Sequence, residues 1–247
     1  MTWLPAFDSL FFPEQRSTRL YHQSRHPQLQ HEQIPGFVIQ KLAYAIAPNL
    51  TIIYNSILHN NIIPKSWKMA QVKAVYKQKG SKSDPSNYRP ISVLPILGRT
   101  LEKLVASQLY SWCEDNTILP PEQFGFRRHS SCEMALFSAM DSWMESVDKG
   151  HFVGALLLDF TKAFDSVPHQ LLLQELQSIG CSMDTIIWFC NYLTAQQQSV
   201  VTYEQVTEWM TVSRGFPQGS GISPLLFNIF IRRLPRTSLH LIYSSVC

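Results

Sequence analysis

No aspartate or glutamate follows Glu208 in this chain of 247 residues. Any chemistry that depends on carboxylates must draw them from the earlier part of the sequence. Cysteine is scarce: Cys113, Cys132, Cys181, Cys190 and Cys247 are odd in number and form no C-x-x-C pair. That argues against both a disulfide framework and a zinc site, and makes reduced thiols the default. No apolar run approaches the ~18 residues that a membrane span requires. The N-terminus, Met1-Thr2-Trp3-Leu4-Pro5, has neither the basic region nor the sustained apolar core of a secretory signal. The expectation is a soluble, intracellular chain that makes no membrane contact, with nucleus and cytoplasm left undistinguished. Neither G-x-G-x-x-G nor G-x-S-x-G occurs, and Gly219-Ser220-Gly221 is too short for a P-loop cradle, so dinucleotide-binding and serine-hydrolase readings have no support.

What is present is an apolar fraction of 45%, enough to fill the core of one large domain or two small ones. The net charge of +3 is modest, but its distribution is not. Nine Lys and Arg stand between Lys65 and Lys103 against only Asp84 and Glu102, a local +7 that leaves −4 for the remainder. Such a block suits phosphate contacts, or equally a solvated charged face.

Residues 1–33, rich in Gln, His, Arg and Pro, read as a poorly ordered lead-in. Helical spacing of apolar groups begins at Phe37–Leu42 and Leu50–Leu58. Ala70–Lys77 alternates as a strand does, and Gly80–Pro85 has the composition of a hairpin tip. A helix is expected over Leu97–Cys113, with Leu101, Leu104, Val105 and Leu109 on one face. Ser130-Ser131-Cys132-Glu133 fits a capping box opening a helix to about Val147. The unbroken apolar run Phe152–Leu158 predicts a strand buried on both faces at a sheet centre, ended by Asp159. Pro168 suits the first turn of a helix reaching about Ile179. A helix over Met183–Leu193, a hairpin of Gln198–Tyr203 with Glu208–Ser213, and a helix over Ser220–Ile231 complete the series. Strands and helices without regular alternation favour an α+β fold over a doubly wound sheet.

An aspartate at the end of a buried strand can bind a hard cation at the sheet edge or simply cap the turn that follows. The sequence around Asp159 decides between these. Asp159-Phe160-Thr161-Lys162-Ala163-Phe164-Asp165, with Gly215-Phe216-Pro217-Gln218-Gly219-Ser220 about 55 residues later, resembles the palm motifs of reverse transcriptases from non-LTR (LINE-like, jockey-type) retrotransposons. Asn87-Tyr88-Arg89-Pro90-Ile91-Ser92 and Gln123-Phe124-Gly125-Phe126-Arg127 resemble the two fingers motifs that precede them, in the family's order. The resemblance runs from Ile34 to Pro235.

It implies a right-hand polymerase fold: fingers over 34–150, a partial palm over 151–247, and no thumb. It also implies RNA-directed DNA synthesis from an RNA template, a DNA primer and deoxynucleoside triphosphates. Asp159 would bind the metal ions, magnesium or alternatively manganese, and Phe160 would lend its backbone carbonyl. Arg89 would contact the incoming triphosphate, since its planar fork matches phosphate oxygens, with Lys77 and Lys79 adding charge. Phe164 would be the steric gate against a ribose 2′-OH. Gln218 and Gly219 would lie against the nucleotide and template base, and Arg127 would touch the template. For Phe124 and Phe126, core packing is expected of at least one. Asp165 would hold the turn or cap the next helix.

The sequence also departs from the pattern. Arg128-His129-Ser130 stands where the family has Pro-Gly-His, and Arg232-Arg233-Leu234-Pro235 where it has Asn-Asp-Leu-Pro. Tyr243-Ser244-Ser245-Val246 stands where it has aromatic-Ala-Asp-Asp. Serine is a weak magnesium ligand and valine is none, so the expectation is a reverse transcriptase domain that does not catalyse as this fragment. The alternatives are a non-catalytic nucleic-acid-binding remnant or a decayed open reading frame whose product does not fold stably.

Overall fold

A computed structural model describes residues 36–160, 162–202 and 205–234. The lead-in expected for 1–33 and the segment Tyr243–Val246 lie outside them. Two helices open the described chain, α1 (Gly36–Lys41) and α2 (Ala43–Asn60), and a 3-10 turn at Lys65–Lys68 leads into β1 (Met69–Tyr76). β1 forms a hairpin with β2 (Tyr88–Val93). The hairpin tip is tied by short polar bonds: Asp84 accepts from the Ser86 N–H at 2.9 Å, and Asn87 Nδ2 donates to the Ser81 carbonyl at 2.9 Å. Helices α3 (Ile96–Asp115), α4 (Cys132–Asp148), α5 (His169–Ser178) and α6 (Met183–Leu193) follow. Strands β3 (Gln196–Val201) and β4 (Met210–Val212) precede α7 (Ser223–Ile231).

The four strands form one mixed sheet in the order β2-β1-β3-β4. β1 pairs antiparallel with β2 and parallel with β3, in a register that sets Val72 opposite both Ser92 and Val200. β3 and β4 are antiparallel. The content is mixed α+β, as expected. The core is helical: Tyr54 and Leu58 of α2, Leu104 and Leu109 of α3, Leu172 and Leu176 of α5 and Trp188 and Phe189 of α6 are all buried in one cluster. The i, i+3, i+4 and i+8 spacing of Leu101, Leu104, Val105 and Leu109 is what turns one face of α3 into it. No helix among the described residues is long and apolar enough to cross a membrane.

The expected central strand Phe152–Leu158 is a correction. Residues 151–160 form no strand and lie exposed, with Leu157 at 93%. A strand is stable only when its N–H and C=O groups pair with a neighbour. Among the described residues none runs beside this segment, so its apolar side chains have nothing to pack against. α4 carries a second open apolar surface: Phe137, Met140, Met144 and Val147 are exposed, while Ala135 is buried. Its cap is Ser131, whose Oγ accepts from the Met134 N–H, one residue later than the capping box expected at Ser130. α7 starts at Ser223 rather than Ser220, because Ser220 and Gly221 belong to a turn bonded to α3.

Candidate nucleotide and template site

Two distant segments, 162–169 and 214–220, are stitched together by their backbones. The Phe216 N–H donates to the Phe164 carbonyl at 3.0 Å and the Gly215 N–H to the Val167 carbonyl at 2.8 Å. His169 Nε2 donates to the Gly215 carbonyl at 2.8 Å, which requires that nitrogen to carry the proton. Gly215 sits at the crossing with φ +73°, and a Cβ there would lie 2.5 Å from both Asp165 Cα and the Phe164 oxygen. Only glycine fits.

Beyond the crossing, the chain makes a turn closed by the Ser220 N–H on the Pro217 carbonyl at 3.1 Å. β2 holds its outer side: the Ser92 N–H donates to the Gln218 carbonyl at 2.6 Å. Gly219, at φ +113°, would bring a Cβ to 2.8 Å from the Ser92 oxygen. What approaches Gly219 here is thus the chain's own strand. The Gln218 amide donates to both oxygens of Asp165, at 3.1 and 3.3 Å. Between this turn and the sheet lies an open cleft of about 290 Å3, lined by Pro90, Ser92, Gln198 and Val200 from the sheet and by Asp165, Arg214 and Gln218 opposite.

The structure brings some of the expected site residues together and not others. Gln218 and Asp165 meet at the cleft, while Gly219 lies against Ser92 of β2. Phe164 stands beside them, stacked on Phe227 at 4.8 Å and 28°, with the Phe126 ring edge-on at 5.7 Å. Phe126 takes φ +52° to reach that place, a left-handed conformation that bulky residues rarely adopt, and it remains nearly half exposed. Its loop is pinned from below by buried amides. Gln123 Nε2 donates to Asn228 Oδ1 at 3.2 Å, and Asn228 Nδ2 donates to the Gly125 carbonyl at 2.9 Å.

Arg89 is exposed and makes no ion pair with any described residue. It pairs across the hairpin with Val75, whereas Pro90 and Ser92 are one position out of phase with it. Alternation along a strand therefore puts Arg89 on the face opposite the cleft. Lys77 donates to the Ser86 carbonyl at 2.8 Å, and Lys79 is exposed at the hairpin tip.

Arg127 is not poised for a template. Its Nε and Nη2 form a paired contact with both oxygens of Glu114 at 2.9 and 2.8 Å, and its Nη1 donates to the Pro120 carbonyl at 2.8 Å. It clamps the 123–129 loop to the end of α3, with Arg128 lying over the Tyr110 ring at 4.6 Å. The Arg127 bond holds the Glu114 carboxyl below the usual carboxylate range. A depressed acid stabilises the fold above its unfolded value, about 4.3 for glutamate. That contribution is lost as pH falls through the depressed value. Arg127→Met should lower stability by roughly 1–2 kcal/mol at pH 7, a loss that fades in acid, given the pair's partial exposure. Affinity for a primed template should stay within twofold or so of wild type. Parallel urea and binding titrations test both; a tenfold loss of binding without loss of stability would restore the template role.

Asp159 and Phe160 lie in the exposed 151–160 segment. A pair of divalent ions needs several convergent carboxylates. Asp165 is engaged with Gln218, and among the described residues no three His, Cys, Asp or Glu side chains converge. The described residues do not fit a two-metal centre.

Sequence reasoning missed Glu102, Tyr192, Arg214 and the Gln196–Gln198 run. Glu102 left one signal: it falls at i, i+3 and i+7 with Val105 and Leu109, on the stripe that faces the core. Arg214 and the glutamines carried none, since their meeting depends on the parallel pairing of β1 with β3.

Residues 77–244 match the family described as reverse transcriptase (RNA-dependent DNA polymerase). The chain is 31% identical over 186 residues to the probable RNA-directed DNA polymerase from transposon BS of Drosophila melanogaster, covering 75% of this chain and 20% of that protein. It is 26% identical over 232 residues to the probable RNA-directed DNA polymerase from transposon X-element of the same fly, covering 94% and 25%. A retrovirus-related Pol polyprotein from the type-1 retrotransposable element R2 of Popillia japonica is 29% identical over 178 residues, covering 70% and 24%. The chain thus spans a quarter or less of the length of these curated relatives.

Proposed function

The chain belongs to the reverse transcriptase family, of the non-LTR retrotransposon type, and from this premise we propose that it supplies the template- and nucleotide-holding part of a right-hand polymerase. Residues 34–150 act as fingers and 151–247 as part of the palm. The observation that supports this reading is the bonding of the 162–169 segment to 214–220 and of 214–220 to β2, which leaves Gln218, Asp165 and Ser92 lining one cleft. Template and primer phosphates would meet the basic hairpin through Lys77, Lys79 and Arg89, a contact that weakens as salt rises. Phe164, held by Phe227 and Phe126, is a rigid ring suited to excluding a ribose 2′-OH. Gln218, its amide donor bonded to Asp165, leaves its carbonyl oxygen to meet a base or sugar.

Extension of the primer is a separate matter. The polymerase reaction uses a pair of magnesium or manganese ions, and the donor set of the described residues does not fit them. The chain by itself is therefore a holding module: it binds a primed RNA and does not lengthen it. Purified chain, an RNA template with a DNA primer and either magnesium or manganese make the test, with Asp159→Ala as control. No product, alongside binding that falls steeply between 50 and 200 mM salt as phosphate contacts require, is the expected result. Asp159-dependent synthesis would show that the missing carboxylates are supplied otherwise. Absence of salt-dependent binding in a folded sample would remove the proposal.

A further inference from the structure

Glu102 is the charged residue in the buried set of described residues, at 5% exposure. It sits near the start of α3, more than a hundred residues before the 214–220 turn, yet three donors converge on it. The Tyr192 hydroxyl donates to Oε1 at 2.6 Å, the Ser220 hydroxyl to Oε2 at 2.9 Å, and the Gly221 N–H to Oε2 at 3.0 Å. Ser220 and Tyr192 are themselves 3.1 Å apart, and the Ile222 N–H donates to Ser220 Oγ at 3.3 Å. Each of these groups approaches as a donor. Both carboxylate oxygens serve as acceptors, as an ionised carboxylate permits.

Placing a carboxylate away from water is costly unless it gains bonds that water cannot match. Burial pushes the Glu102 carboxyl up, and the bonds from Tyr192, Ser220 and Gly221 pull against that. A residue serving core packing alone would be apolar here, as Val105 and Leu109 are on the same stripe. What the carboxylate adds is a fixed tether for two consecutive residues just past Gly219. On the other side Ser92 grips the Gln218 carbonyl at 2.6 Å. The turn is thus held between β2 and α3, and Gly221 closes against α3, where a Cβ would stand 3.1 Å from Lys103 Cγ. The carboxyl group also lies next to the N-terminal end of α7, where the helix dipole favours its ionised form.

We infer that Glu102 is a positioning residue: through Ser220 and Gly221 it fixes where the 217–220 turn presents Gln218 to a bound nucleotide and template base. Its mode of action is indirect, since it touches the turn and never the site. Tyr192 completes the tether from α6, so two helices, α3 and α6, and the turn that precedes α7 meet at one buried carboxylate. The functional part of this inference rests on the nucleotide- and template-holding role proposed above. The tether itself does not.

Amide hydrogen exchange separates the two. Glu102→Ala removes all acceptors, Glu102→Gln keeps the shape with a single carbonyl acceptor, and Tyr192→Phe removes one donor while leaving the carboxylate on Ser220 and Gly221. The full chain is used, with a recessed RNA–DNA template–primer and a fluorescent deoxynucleoside triphosphate in manganese as the binding probe. In Glu102→Ala, exchange of the 216–222 peptide should accelerate by about tenfold or more, while α3 and α6 keep wild-type protection. Glu102→Gln and Tyr192→Phe should each give a smaller change confined to the same peptide. Nucleotide affinity should fall in the same rank order as the local exchange rises, with template–primer affinity unchanged.

Faster exchange spread evenly over the core would mean a purely structural carboxylate and would overturn the inference, as would wild-type exchange in 216–222. A wild-type chain that binds neither probe would sink the holding function, and the exchange data would still decide whether Glu102 tethers the turn. Nucleotide affinity insensitive to a loosened turn would remove the positioning role.

Discussion

Replacing Gly215 with alanine is expected to destabilise the fold by roughly 3 kcal/mol or more. Two costs add. At φ +73° an L-residue occupies a conformation that disfavours a Cβ by about 1–2 kcal/mol. The methyl group would also fall 2.5 Å from Asp165 Cα and the Phe164 oxygen and 2.6 Å from the Asp165 carbonyl carbon. These are backbone atoms, which cannot rotate aside as a side chain would. The two segments must separate, breaking the bonds from Gly215 to Val167, Phe216 to Phe164 and His169 to Gly215. Urea unfolding should show a much lower midpoint. In any folded remainder, Gln218 should lose its partner Asp165, and nucleotide binding should go with it. A Gly215→Ala chain of wild-type stability would show that the crossing is not as tight as the structure has it.

Trp188→Ala should cost about 3–5 kcal/mol, the range for deleting a buried large aromatic. Trp188 is 1% exposed, stacked on Tyr192 at 5.5 Å and 4°, and meets Phe189 edge-on at 5.0 Å. Its removal leaves a cavity in the helical core and frees the ring that holds the Tyr192 hydroxyl on Glu102. Denaturant titration should find a lower midpoint with an unchanged slope. The contrast with Leu157→Ala is the sharper check. Leu157 lies in the most apolar stretch of the motif region, yet it is almost fully exposed, so its loss should stay within about 0.5 kcal/mol. Equal losses from the two would mean that the 151–160 segment is packed after all.

Local spacing made most of the elements legible. α3, α6 and the β1–β2 hairpin fall within a few residues of where periodicity and turn composition put them, because a helical stripe or a Gly-Ser-Pro tip is a property of neighbouring residues. The cap of α4 slipped by one residue, since two adjacent serines offer the same hydroxyl and only the geometry of Met134 selects Ser131. Phe152–Leu158 failed for a different reason. An apolar run declares that it wants a partner and says nothing of whether one is at hand.

The candidate site divides the same way. Gln218, Gly219, Phe164 and Asp159 stood out because their motifs are contiguous, and their chemistry could be read residue by residue. Arg127 shows the limit of that reading. A guanidinium suits phosphate and carboxylate equally, and Glu114 lies thirteen positions away across a turn that no pattern marks. The sequence alone determined the family, the order of the elements, the basic hairpin and the shortage of acids after Glu208, since each is written in composition or in a continuous motif. The tertiary structure decided which charges meet: Arg127 with Glu114, Gln218 with Asp165, and Glu102 with Ser220 and Gly221. The physical reason is range. Backbone preference and hydrophobic period act over a few residues, whereas hydrogen bonds and ion pairs act over about 3 Å of space and join whatever the folded chain brings within that distance.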